Sequence, residues 1–89
     1  MTGKFATSKT GHDKSRIYII IREDAEYVYL TDGIYRSVSK PKKKNKKHIQ
    51  IINKGQDEKI TQKLLNKEPV SDEEIKRAIK IYEGSKANV

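Results

Sequence analysis

Between Arg16 and Arg22 the chain reads Arg-Ile-Tyr-Ile-Ile-Ile-Arg, a run of β-branched and aromatic residues that predicts its strongest strand. Alternate positions put Ile17, Ile19 and Ile21 on one face and Tyr18 and Ile20 on the other, so both faces are apolar and both need a cover. Tyr27–Thr31 alternates in the same way, and Ile34–Val38 resumes the pattern after Asp32-Gly33. That pair supplies the positive φ values of a two-residue type I′ turn, which predicts a hairpin. In this register Val28, Leu30 and Tyr35 share a face while Val38 takes the opposite parity, predicting a bulge or strand bend near Ser37. A short strand over Gly3–Ser8, with Phe5 as its only large apolar residue, and a last one over His48–Ile52 make five.

The segments between them are rich in turn formers. Ser8–Ser15 reads as a loop around Gly11, Glu23–Glu26 as an acidic turn, and Pro41, which cannot donate to a ladder, as the end of the fourth strand. Five short strands punctuated in this way predict a mainly β fold, a small, strongly bent antiparallel barrel over residues 1–54.

The periodicity changes in residues 55–89, a predicted helical extension. Asp57–Lys67 has acids at its start and lysines toward its end, as a helix dipole favours. After Pro69, Ser71 and Glu74 have the spacing of a capping box, and the helix they open is expected to stop at Gly84. Ile75, Ala78, Ile79 and Tyr82 form one apolar stripe. Helices this short need tertiary packing, and the exposed Tyr18 and Ile20 face of the barrel is the expected dock. A homodimer contact or a protein partner's groove are the alternatives for the stripe.

Charge adds a partner class. The chain has 89 residues and a formal net charge of +8. Residues 1–55 hold thirteen Lys or Arg against five acids, whereas residues 56–89 hold seven of each sign, so the whole excess belongs to the barrel half. The densest part is Lys40-Pro41-Lys42-Lys43-Lys44-Asn45-Lys46-Lys47-His48. It reads either as a solvated connector between two strands or as a phosphate-facing loop of a nucleic-acid-binding surface. With no cysteine, there is no disulfide, thiolate metal site or cysteine nucleophile, and no apolar run approaches the length of a membrane span. A cytoplasmic location is the expectation.

Gly3-Lys4-Phe5-Ala6-Thr7-Ser8, then Gly11-His12-Asp13-Lys14, the Ile-rich strand, Tyr27-Val28, Asp32-Gly33, Arg36, and Pro41-Lys42-Lys43-Lys44 with Lys47-His48 follow one another in a specific order. In that order residues 3–53 resemble the small bacterial KOW-domain RNA-binding proteins, which are similar to the KOW-type large-subunit ribosomal proteins of archaea and eukaryotes. His12 stands where that family usually has Arg, and Ser15 where it usually has a second Gly. The resemblance implies an SH3-like barrel whose basic loops lie on structured RNA, most of all ribosomal RNA. The residues expected to contact it are Lys9, His12, Lys14, Arg16, Arg36, Lys40, Lys42, Lys43, Lys44, Lys46, Lys47 and His48.

Other chemistry finds little support. His12, His48 and Asp13 lack the spacing of a metal site, and neither a Walker loop, G-x-S-x-G nor HExxH is present, so no catalysis, metal or cofactor is expected. Arg36 falls opposite Tyr29 in the predicted hairpin, where it can stack, pair across the strands or reach RNA. Tyr27 and Tyr29 suit base stacking or a half-buried sheet surface. The competing function is a protein-interaction barrel, as used in transcription elongation, with lysines that serve mainly solubility.

Overall fold

The computed structural model describes residues 1–9 and 16–87. Its strands are β1 (Lys4–Ser8), β2 (Ile17–Glu23), β3 (Tyr27–Thr31), β4 (Lys42–Asn45) and β5 (Ile49–Gln56). A 3₁₀ turn covers Lys46–His48, and the helices are α1 (Glu58–Leu65) and α2 (Asp72–Ala87). All five strands form one antiparallel sheet in the order β4-β3-β2-β1-β5. Of the predicted first loop, residues 10–15 lie outside the described residues.

β4 and β5 are opposite edges of this sheet, yet only the 3₁₀ turn separates them along the chain. In a flat sheet these edges would stand about 19 Å apart, at about 4.8 Å per strand step. A three-residue 3₁₀ turn rises only about 6 Å. The sheet therefore coils with a stagger until the end of β4 meets the start of β5. The product is the expected small SH3-like architecture, a curled half-barrel followed by two helices.

Coiling decides which face each apolar residue covers. Tyr18 and Ile20 turn into the coil, where Ala6, Val28, Leu30 and Ile49 surround them. Ile17 and Ile19 turn outward with Phe5 and meet Ile60, Val70, Ile75, Ala78 and Ile79 of the tail. The helical stripe thus docks on the chain's own barrel, with Ile75 fully buried and Tyr82 stacked on Phe5 at 4.6 Å between centroids. The face it covers is the Ile17 and Ile19 face, not the Tyr18 and Ile20 face expected from sequence. The curled sheet covers Tyr18 and Ile20 by itself, so only the other face needed a helix.

The second hairpin strand is also corrected. Ile34–Val38 is a loop, because Asp32 Oδ1 accepts the backbone N–H groups of Ile34, Tyr35 and Arg36 at 2.9, 2.9 and 2.8 Å and wraps the chain around itself. Such side-chain capture competes directly with strand pairing. Tyr35 is 71% exposed instead of sharing the Val28 and Leu30 face, while Val38 packs in the outer core and donates its N–H to Asp72 Oδ1 at 2.7 Å. On its side away from β2, β3 pairs instead with β4, with Tyr29 opposite Lys43. Pro41 therefore precedes an edge strand and does not end one, and the sheet's irregularities fall at Lys4/Phe5 and Ile20/Arg22, not at Ser37.

In the tail, Asp57 caps α1 by accepting from Ile60 N at 3.0 Å, and Ser71 Oγ accepts from Glu74 N at 3.2 Å. The Glu74 carboxylate does not complete a capping box; its Oε1 takes the Lys63 ammonium at 2.6 Å, joining the helices. Gly84 does not end α2, which continues to Ala87. Glycine costs a helix only about 1 kcal/mol and ends it only where the backbone turns left-handed.

Gly33 does turn left-handed, with φ +78°, and a Cβ there would come within 2.5 Å of the Asp72 carbonyl oxygen. Gly33→Ala is expected to cost at least about 2 kcal/mol, through strain and displacement of the α2 start. Urea unfolding measures this, and an unchanged midpoint would show that α2 does not press on the loop.

Candidate nucleic-acid interface

A strand shows successive side chains to opposite faces, and the lysine run obeys that rule. Lys42 and Lys44 lie opposite Leu30 and Val28, on the side of the coil interior, and both are half-buried. The Lys42 ammonium is 5.9 Å from the Tyr18 ring centroid. Lys43 shares the outer face with Tyr29 and Tyr27, is exposed, and places its ammonium 4.3 Å from the Tyr27 centroid. Beyond β4, Asn45 Oδ1 accepts from Lys47 N at 2.9 Å and shapes the 3₁₀ turn, leaving Lys47 and His48 exposed. Lys46 is half-buried, its ammonium 3.1 Å from Glu23 Oε2.

The run is therefore an edge strand plus a turn, neither a loop nor one continuous fringe. Low strand propensity did not prevent this, because pairing with β3 and the position at the sheet edge decide it. Lysines on an edge also discourage pairing with another chain.

The sheet sorts the other sequence-predicted contacts into two groups. Pairing of β1 with β5 sets Ser8 opposite Ile49, and Lys9 N donates to the His48 carbonyl at 2.7 Å. Lys9 thus meets His48 at one corner, next to the exposed Lys47, while the Lys46 ammonium is turned to Glu23. Arg16 stands elsewhere, beside the Asp32 loop, with its guanidinium 4.3 Å from the Tyr35 centroid and 4.0 Å from Asp32 Oδ2. Arg36 and Lys40 are exposed in the segment between β3 and β4. Arg36 does not lie across from Tyr29; Arg22 takes that place, 4.1 Å from the ring centroid. His12 and Lys14 fall outside the described residues.

Two acids balance part of this charge. Hydrogen bonds from the Met1 amino group and from Lys46 hold the Glu23 carboxyl below its ordinary pKa. The Tyr27 N–H, helped by Glu26 N–H, the Tyr29 hydroxyl and the charge of Lys43, holds Asp24 below its own. Both remain carboxylates at neutral pH and anchor the cations beside them.

Sequence reasoning missed a cleft of about 730 Å³ between the Asp32 loop and α2, lined by Arg16, Tyr35, Lys76, Arg77 and Lys80 among others. The i, i+4 spacing of Lys76 and Lys80 was a visible signal, but the balanced charge of the tail hid it. Among the described residues no group of three or more His, Cys, Asp or Glu could hold a metal ion, and no helix is long and apolar enough to cross a membrane. No protein-family model matches the chain, and neither does any curated protein.

Proposed function

We propose that this chain is a non-catalytic, cytoplasmic RNA-binding protein of the KOW type, associated with ribosomal RNA. The observation that carries the reading is the corner where Lys9 meets His48 beside the exposed Lys47, with Lys43 exposed on the adjoining edge strand β4. Its position in the half of the chain that holds all the net charge adds support. Lysines there would displace counterions from successive phosphates, while the curled sheet supplies a rigid shape to fit a folded RNA.

Co-sedimentation with ribosomal subunits, repeated across a salt series, tests this. With four phosphates contacted, the logarithm of the binding constant should fall by roughly 3 units per tenfold rise in salt. Binding that ignores salt, or fails at low salt, would overturn the reading. A protein-interaction barrel is the second reading, favoured by the inward placement of Lys42 and Lys44, which commits two lysines to the sheet edge.

A further inference from the structure

The cleft beside α2 combines features that the lysine corner lacks. Its volume of about 730 Å³ lies in the range of small-ligand sites, about 300–1,000 Å³. Ile17, Ile34 and Ile79 give it apolar walls, and Arg16, Lys76, Arg77 and Lys80 bring cations from β2's approach and from α2. Tyr35 is 71% exposed and Ile34 64% exposed, although the loop that carries them is fixed by its backbone bonds to Asp32. The fold therefore holds two large apolar side chains in water at a defined position. The Arg16 guanidinium lies against the Tyr35 ring, so the exposed part of the ring is chiefly its other face and edge. Tyr27 and Tyr29 are less available, being half-buried with Lys43 and Arg22 against them.

We propose that this cleft receives one unpaired RNA nucleotide, its base stacked on Tyr35 and its flanking phosphates beside Arg16, Lys76 and Lys80. The inference rests on the RNA reading and deepens it: the lysine corner holds backbone, and the cleft selects RNA with a base free to leave its stack. The acids in the cleft limit it to a single nucleotide. Asp32 lies 4.0 Å from Arg16 and Glu73 3.2 Å from Lys76, and Glu83 adds a third carboxylate against four cations, so little net positive charge remains and a run of phosphates is not favoured.

The test uses the full chain and two RNA hairpins of equal length and charge, one fully paired and one with a single bulged 2-aminopurine. Anisotropy should show about tenfold tighter binding of the bulged hairpin, with a change in 2-aminopurine fluorescence on stacking. Tyr35→Ala should abolish that preference while leaving the paired hairpin within about twofold, and Tyr35→Phe, which keeps the ring, should retain it. Melting curves of both variants should match the wild type, since the side chain is mostly exposed. Equal binding of the two hairpins by the wild type, or an equal loss for both in Tyr35→Ala, would overturn the cleft's role and leave the RNA reading standing. Binding of neither hairpin at low salt would overturn both.

Discussion

Removal of residues 57–89 is expected to leave a chain that no longer folds cooperatively. The outer core is shared: Phe5, Ile17 and Ile19 come from the sheet, and Ile60, Val70, Ile75, Ala78 and Ile79 from the tail. Without the tail, three large side chains that are at most 8% exposed would face water. Each such exposure forfeits about 1.5–3 kcal/mol. A domain of this size has about 5–15 kcal/mol to lose. A graded version is Ile75→Ala, at a side chain with no exposed surface, for which about 2–5 kcal/mol and a fall in melting temperature of at least 10 °C, roughly, are expected. Circular dichroism melts of both variants supply the check. A truncated chain that melts within about 5 °C of the full one would mean that the tail is an accessory and not half of the core.

The second large effect concerns the alternation along β4. Lys9, Lys43 and Lys47 are exposed on the corner and the outer face, and replacing all three by alanine should weaken binding to a structured RNA about thirtyfold near 0.1 M salt. The salt dependence should become shallower by about 2 units. Lys42→Ala with Lys44→Ala should act differently. Their stems lie over the Leu30 and Val28 rows, so the double change should lower the melting temperature by a few degrees, roughly, and weaken RNA binding far less. Anisotropy titrations and melts on the same preparations compare the two sets. Equal losses of affinity from both would show that strand alternation does not divide the run.

The contrast between the lysines is also where sequence reading reached its limit. The apolar alternation of Ile17–Ile21 was legible, and so was the need to cover both faces. Which cover goes where depended on the coil, a property of the whole sheet that no local pattern carries. Asp32-Gly33 was legible as a turn with positive φ at Gly33, but the same dipeptide serves a hairpin or an aspartate-capped loop. The loop wins through the three N–H groups that Asp32 captures, and Asp72, far along the chain, takes the Val38 N–H as well. β4 was hidden for a different reason: four consecutive polar residues carry no hydrophobic signal, and only their partner β3 makes them a strand. The cations of the candidate surface were visible as charge, whereas their division into a corner, an inward pair and a cleft was not. Glu74 shows the same limit on a smaller scale, since its capping role lost to a lysine on the neighbouring helix.

The turn that joins the sheet's two edges bears on how the molecule comes to be folded. β2 with β3 and β3 with β4 are pairings between neighbours in sequence, which a chain can find quickly. β1 with β5 is not; Ser8 pairs with Ile49 across almost half the protein, a long loop to close from the open chain. The Lys46–His48 turn shortens that search, because once β4 is in place it delivers β5 to the edge where β1 waits. The lysine-rich corner is thus also the seam where the coil closes on itself, a sequence-distant pairing reached through a sequence-local turn.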